Sequence, residues 1–232
     1  ILQGAILEGN LRNVALLDVT PLSLGIETFC GLMNVIIPRN TTIPAKAGEM
    51  FTNAVARQSG MKIAVLQGER ELAGDNWTLG SFEIPFSPAP KRAARVGVQF
   101  SIDADGILQV LARDTATGKE QIVEIKSAVE VSDEAVEAML AGSLEHAFED
   151  MDARIFTEAR LKAEEMLPAV EAALAQLASE LPGAEVAEIR EHSAEVTRAL
   201  DAKETARLKQ ALAALDNATQ TLATRLIERA MK

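Results

Sequence analysis

The sequence has few of the residues from which disulfides and metal centres are built. Among 232 residues there is one cysteine, Cys30, and there are two histidines, His146 and His192. A single cysteine excludes an intrachain disulfide and a thiolate metal cluster. Both histidines fall on predicted helices, without a cysteine or a second histidine at ligand spacing, so we expect no zinc site.

Long apolar runs and targeting signals are also missing. No stretch reaches membrane-spanning length, and no N-terminal segment combines basic residues, an apolar run and a small-residue cleavage site. We therefore expect a cytoplasmic protein.

Motifs of the common enzyme classes are absent too. The sequence contains no Gly-x-Gly-x-x-Gly, no phosphate-binding Gly-x-x-x-x-Gly-Lys-Ser/Thr and no Gly-x-Ser-x-Gly. Residues 103–106, Asp-Ala-Asp-Gly, resemble the start of a calcium loop but lack the later glutamate, so an Asp-Gly hairpin turn is favoured. We expect no catalytic residue and no cofactor within these residues.

Charge, glycine and proline divide the chain into two halves. The first 129 residues hold 13 acids and 12 bases, with twelve of the fourteen glycines and six of the eight prolines. The remaining 103 residues hold 21 acids and 11 bases and are rich in Ala, Glu, Leu and Arg. This composition predicts a change of architecture in mid-chain. The acidic surface argues against nucleic acid and anionic membranes as partners.

Short alternating segments in the first half predict β-strands separated by turns. The strand segments are 61–65, 96–102, 107–111 and 122–125, and the turns are 67–69, 103–106 and 117–119. The prolines at 85, 88 and 90 predict a loop. Repeated short strands favour antiparallel sheets packed as a sandwich.

The second half predicts helices. Ser132, followed by two acids, is typical of a helix N-terminus, and apolar positions recur from there to Met151. A second helix is predicted over about 152–178, where Pro168 should kink or restart it. After a break at 182–183, helices are predicted over about 184–200 and 202–231, the latter opened by a capping box at Asp201 and Glu204. The fold class predicted is α+β: an antiparallel β-sandwich followed by a helical bundle.

Residues 16–28, Leu-Leu-Asp-Val-Thr-Pro-Leu-Ser-Leu-Gly-Ile-Glu-Thr, closely resemble the junction between the ATPase and substrate-binding domains of Hsp70 chaperones. Further matches follow in order at 38–44, 65–70, 75–76 and 102–108. The resemblance implies a remnant of the ATPase domain at 1–12, an interdomain linker at 13–20, a peptide-binding sandwich at 21–129 and a helical lid at 130–232. The linker residues are Val14, Ala15, Leu16, Leu17 and Asp18. Ala15 stands where the family commonly has leucine.

The resemblance also implies a groove that binds extended apolar peptides. Its central pocket corresponds to Ile26, Phe51, Met61, Ile63 and Val96, its arch to Phe29 and Ala54, and Thr28 and Thr52 complete the set. Without the resemblance each would be interpreted as a core residue, and for Phe51 and Ile63 the two interpretations are about even. Met61 replaces a β-branched residue and Phe29 a methionine, which implies a shallower and more adaptable pocket.

A lid latch is implied by Asp150 and Lys91, which match the acid and the base of the family's latch. Pro168 takes the place of the latch histidine, and lysine lacks the bidentate fork of arginine. We therefore expect a lid that opens readily.

The implied partners are unfolded client peptides, an ATPase domain that carries ATP and Mg²⁺, a J-domain co-chaperone and a nucleotide-exchange factor. A generalist of the DnaK type is the first interpretation. The alternatives are an HscA-type specialist that serves an iron–sulfur scaffold protein, and a helical adaptor without chaperone function. Self-association is also expected, with the linker of one copy entering the groove of another.

Overall fold

The computed structural model describes residues 18–125, 131–177 and 180–230. The chain forms two compact units, Ile1–Ala147 and Phe148–Lys232. Because the division lies after Ala147, the first helix belongs to the same unit as the strands, whereas the sequence places the domain boundary at 129/130.

Eight strands and five α-helices lie in the described residues. The strands are β1 Leu24–Glu27, β2 Met33–Ile37, β3 Ala45–Phe51, β4 Gln58–Gln67, β5 Trp77–Ala89, β6 Val96–Ile102, β7 Leu108–Asp114 and β8 Glu120–Ile125. The helices are α1 Asp133–Glu145, α2 Ala147–Leu177, α3 Gly183–Asp201, α4 Thr205–Ala218 and α5 Gln220–Ala230.

The strands of the first unit form two antiparallel sheets, in the orders β2-β1-β4-β5 and β3-β6-β7-β8. Strict alternation of buried and more exposed side chains in β6 and β7 favours this arrangement. In β6 every second side chain, from Val96 to Ile102, is buried, and β7 alternates in the same way. These side chains pack with those of β1 and β4 in one hydrophobic core. The predicted α+β fold, a sandwich followed by helices, is confirmed.

The turn between β6 and β7 is the predicted Asp-Gly turn. One carboxylate oxygen of Asp103 accepts the backbone N–H groups of Asp105 and Ile107, at 3.0 and 2.9 Å. Gly106 has φ 77°, in the left-handed region that glycine adopts at low cost.

The predicted loop at the prolines 85, 88 and 90 is wrong for the first two. Pro85 and Pro88 lie inside β5, which extends to Ala89. β5 is an edge strand that pairs with β4 alone, and proline is tolerated there because one side of the strand needs no N–H donor.

The predicted cap of the first helix is confirmed, because the hydroxyl of Ser132 accepts the N–H of Ala135 at 3.3 Å. The helix ends at Glu145 rather than continuing to Met151, which lies in α2. At His146 the backbone leaves helical geometry (φ −98°, ψ 9°), and its N–H closes the last turn on the carbonyl of Gly142.

In the second unit α2 starts at Ala147 rather than 152 and passes through Pro168 without restarting. Pro168 lies on the exposed side, where the loss of one N–H donor is easily tolerated. Buried residues on both sides of it, from Ala159 to Leu177, belong to one core with α3 and α4. Packing thus keeps the helix continuous.

The predicted capping box at Asp201 and Glu204 is wrong. Asp201 is the last residue of α3, and the side chain of Glu204 makes no capping hydrogen bond. Instead, the N–H groups of Lys203 and Glu204 close α3 on the carbonyls of Leu200 and Ala199, with Lys203 at φ 55°.

The last predicted helix is two helices. α4 ends at Ala218, and the hydroxyl of Thr219 bonds back to the carbonyls of Leu215 and Asp216. Leu208, Leu212, Leu215 and Leu222 are buried, as a helical bundle requires. None of the helices described is long and apolar enough to cross a membrane.

Candidate functional site

A cavity of about 350 Å³ opens in the sandwich between the β1–β2 loop and the β3–β4 loop. Its floor comes from β1 and β4, which are neighbours in one sheet, and from the end of β3 in the other sheet. The lining residues are Ile26, Glu27, Thr28, Phe29, Phe51, Thr52, Ala54, Gln58, Met61, Lys62, Ile63 and Ala64.

The floor is apolar because of strand alternation. Met61 and Ile63 are two residues apart in β4 and so share a face. Ile26, on the adjacent strand β1, and Phe51, at the end of β3, complete the surface. Ile26 and Ile63 are buried, whereas Phe51 and Met61 are partly exposed. The partly exposed pair is therefore accessible to a bound molecule.

The β1–β2 loop forms one side of the rim. It is closed by hydrogen bonds from the N–H and the hydroxyl of Thr28 to the carbonyl of Leu32, at 2.8 and 3.0 Å. Cys30 and Gly31 follow each other at φ 80° and 76°, which turns the chain sharply. The turn leaves Phe29 with 60% of its surface exposed beside the cavity.

The β3–β4 loop, residues 52–57, forms the other side and contributes Thr52 and Ala54. It is held by Gln58, whose side-chain oxygen accepts the N–H groups of Ala54 and Val55 at 3.1 and 3.4 Å. The amide nitrogen of Gln58 donates to the carbonyl of Gly60 at 2.7 Å. Sequence reasoning missed Gln58, because a glutamine beside a turn carries no signal of this role.

Eight of the nine residues predicted to bind peptide therefore line one cavity. The exception is Val96, which is fully buried opposite Phe51 in the β3–β6 pair and packs in the core. Besides Gln58, the prediction missed Glu27, Lys62 and Ala64, which alternate with predicted residues on β1 and β4. The binding roles of these residues stay predictions.

The family model described as Hsp70 protein matches residues 1–228. The chain belongs to the Hsp70 family. The resemblance found in the sequence is confirmed, and family membership gives the protein a role as a molecular chaperone.

The two predicted latch residues of this Hsp70 lie in different units. Lys91 is exposed in the loop between β5 and β6, and Asp150 is buried near the start of α2, with 5% of its surface exposed. Each has an interaction within the protein. Their pairing stays a prediction.

The predicted linker residues Val14, Ala15, Leu16 and Leu17 lie outside the described residues. Asp18 is described: its carbonyl accepts the N–H of Ile43 at 2.9 Å, and Val19 forms a β-bridge with Thr42. The C-terminal end of the predicted linker is thus joined to the sandwich.

The cavity has an apolar floor and a lining that also includes polar and charged residues. Its charged lining residues, Glu27 and Lys62, are of opposite sign. Across the part of the chain that the structure describes, no group of three His, Cys, Asp or Glu side chains is arranged to hold a metal ion. An apolar floor beneath hydrogen-bonded loops suits a side chain of a bound polypeptide.

Proposed function

We propose that this Hsp70-family chain binds an extended apolar segment of an unfolded protein in the cavity of the sandwich. The observation that carries the proposal is the position of exposed apolar side chains around an apolar floor. Phe29, which lines the cavity, is 60% exposed on one loop, and Val55, next in the chain to the lining residue Ala54, is 58% exposed on the other. Exposed apolar groups gathered at a cavity are typical of an interaction site.

An extended peptide suits this site for two reasons. Strand-like ligands gain affinity from main-chain hydrogen bonds and specificity from pockets for individual side chains. Met61 and Phe51 offer apolar surface within the cavity. One aliphatic side chain of the ligand would be buried on the floor, contributing roughly 1.5–3 kcal/mol.

The proposal includes an ATP-driven cycle of client binding and release. Family membership supports release of the client by an ATPase domain that uses ATP and Mg²⁺, with a J-domain co-chaperone and a nucleotide-exchange factor as partners. A generalist client range of the DnaK type remains our first interpretation, with the HscA type as the alternative. Cytoplasmic localisation and self-association through the linker also stay predictions.

Direct binding tests the proposal. A fluorescent heptapeptide with a central leucine is titrated with the protein and followed by anisotropy, beside the same peptide with a central aspartate. We expect saturable binding of the leucine peptide and much weaker binding of the aspartate peptide. Equal binding of both, or binding of neither, contradicts the proposal.

The substitution Met61→Phe tests the position of the site. A phenylalanine ring should fill the space that a client leucine needs and weaken binding about ten- to hundredfold, the equivalent of losing that side chain's burial. Folding should suffer less, because Met61 is partly exposed and can be enlarged without overpacking a closed core.

The control for Met61→Phe is Leu212→Ala, which removes a buried side chain from the helical core. It should lower thermal stability and leave the peptide contacts of the cavity in place. If Met61→Phe binds as the unmodified protein does but melts much lower, Met61 is an ordinary core residue and the site is wrongly placed.

A further inference from the structure

Two loops lie side by side at the cavity end of the sandwich. The β3–β4 loop, residues 52–57, contributes Thr52 and Ala54 to the rim of the cavity. The β5–β6 loop, residues 90–95, contributes no lining residue but carries Lys91. The N–H of Arg57 in the first loop donates to the carbonyl of Ala89, at the base of the second, at 2.8 Å.

Asn53 joins these loops from the inside. Its side chain is fully buried. Its side-chain oxygen accepts the N–H of Ala94 at 3.0 Å, and its amide nitrogen donates to the carbonyls of Pro90 and Val55, each at 2.8 Å. Its main-chain carbonyl accepts the N–H of Arg92 at 3.1 Å. The β5–β6 loop is thus folded around one residue of the rim.

A carboxamide is well suited to this position. It supplies two N–H donors and a carbonyl acceptor in one planar group, so it satisfies both a loop carbonyl and a loop N–H that are shielded from water. A shorter side chain would leave these buried groups unpaired, and the two loops would separate or admit water. The loops would then move independently of each other.

We infer that Asn53 is a positioning residue for the peptide site, which holds the rim loop against the β5–β6 loop and thereby sets how slowly a bound peptide leaves. The inference rests on the proposed peptide binding. Asn53 does not line the cavity, so it acts through Thr52 and Ala54, its neighbours in the chain. Because a looser rim opens more often, removing the Asn53 side chain should accelerate peptide dissociation more than it slows peptide association.

A matched control lies at the opposite end of β4. Asn76 is also a buried asparagine with a fully used carboxamide, which accepts the N–H of Arg70 at 3.0 Å and donates to the carbonyls of Arg70 and Leu72, each at 2.8 Å. It precedes β5 and does not line the cavity. Asn53→Ala and Asn76→Ala therefore remove equivalent networks, only one of which touches the rim.

The experiment measures dissociation of the fluorescent leucine heptapeptide by stopped flow, well below the melting temperatures of both variants. We expect both substitutions to lower thermal stability, but only Asn53→Ala to raise the dissociation rate, by about tenfold, with little change in the association rate. Native-state hydrogen exchange should show the amides of Arg57, Arg92 and Ala94 losing protection together in Asn53→Ala.

Other results would contradict either the role of Asn53 or the peptide site itself. An unchanged dissociation rate in Asn53→Ala, or an equal rise in Asn76→Ala, contradicts the role of Asn53 and leaves the peptide site standing. Failure of the unmodified protein to bind the peptide overturns the proposed function and this inference with it. If Asn53→Ala does not fold, Asn53→Ser keeps a hydroxyl that can donate and accept, and the same comparison with Asn76→Ser decides the question.

Discussion

The two units of the chain are stabilised by different kinds of interaction. In the sandwich, buried carboxamides such as those of Asn53 and Asn76 satisfy the main-chain groups of the loops. In the helical unit, apolar side chains form the core, and exposed ion pairs such as that of Glu195 with Arg207 cross between helices.

The difference has a physical cause. A helix satisfies its main-chain groups internally, except at its ends, so packed helices need only a shared apolar layer. A loop at the end of a sheet has no such internal partner, and its buried N–H and carbonyl groups need side chains. The loops of the sandwich are therefore held by side-chain hydrogen bonds, and substitutions in the two units should have different consequences.

The largest expected effects come from removing core side chains, one in each unit. Phe100→Ala in the sandwich should cost about 3–5 kcal/mol and Leu212→Ala in the helical unit about 2–5 kcal/mol, because both side chains are buried. Trp77, the only tryptophan, reports on the sandwich by fluorescence, and circular dichroism reports mainly on the helices.

In denaturant titrations, Phe100→Ala should shift the fluorescence transition and Leu212→Ala the dichroism transition. If each variant shifts both signals equally, the two units unfold as one, and their stabilities are not separate.

Periodicity predicted four of the eight strands described, β4, β6, β7 and β8, and the helical character of the second half. β6 was predicted at its observed bounds, because its alternation is uninterrupted and its partner β7 buries the residues opposite the buried ones of β6. The Asp103 turn and the Ser132 cap were predicted from local chemistry, since a side chain bonds to main-chain groups two to four residues away. Such interactions depend on the sequence nearby.

The errors arose where distant packing decides the outcome. Pro85 and Pro88 are allowed in β5 because that strand lies at a sheet edge, and Pro168 is allowed in α2 because it faces outward. The local sequence shows neither that β5 lies at a sheet edge nor that Pro168 faces outward. The cavity residues came from family resemblance rather than from pattern, and Asn53 was missed because no local signal distinguishes a buried asparagine from an ordinary turn residue.

A smaller effect on stability is expected when the pH is lowered, because the sandwich contains a buried carboxylate whose charge stabilises the fold. Asp114 is buried at the end of β7, and the pKa of its carboxyl is lowered chiefly by the hydroxyl of Thr117, at 2.5 Å, and also by the N–H groups of Ala116 and Thr117. Because the folded state lowers this pKa, the ionised carboxylate contributes stability above the unfolded pKa of about 3.9. That contribution is lost as the pH falls through the folded pKa.

Asp114→Asn should therefore lower the melting temperature of the sandwich near neutral pH, and its difference from the unmodified protein should shrink below about pH 4. Thr117→Val, which removes only the hydroxyl donor, should move the acid-sensitive range to higher pH. A difference for Asp114→Asn that stays constant down to about pH 2 would show that the carboxylate charge contributes nothing.

The smallest effect is expected at the surface of the helical unit, where Glu195 of α3 accepts hydrogen bonds from two arginines. Arg207 of α4 donates to one oxygen at 2.6 Å and Arg198 to the other at 2.7 Å. Hydrogen bonds from Arg207 and then Arg198 lower the pKa of Glu195, and the bond to Glu195 is the main cause of a raised pKa at Arg207.

All three side chains are partly exposed, so water and salt screen their attraction, and exposed ion pairs contribute little to stability. Glu195→Gln keeps the size of the side chain but removes its charge. It should lower the unfolding midpoint of the helical unit slightly in dilute buffer, with a difference that disappears at about 1 M salt, where the screening length is only about 3 Å. The loss caused by Leu212→Ala should persist at the same salt concentration, because apolar packing carries no charge to screen. If Glu195→Gln instead costs as much as Leu212→Ala, or its cost is independent of salt, then the network between α3 and α4 is a structural element comparable to the buried carboxamides of the sandwich, and the two units are stabilised in the same way.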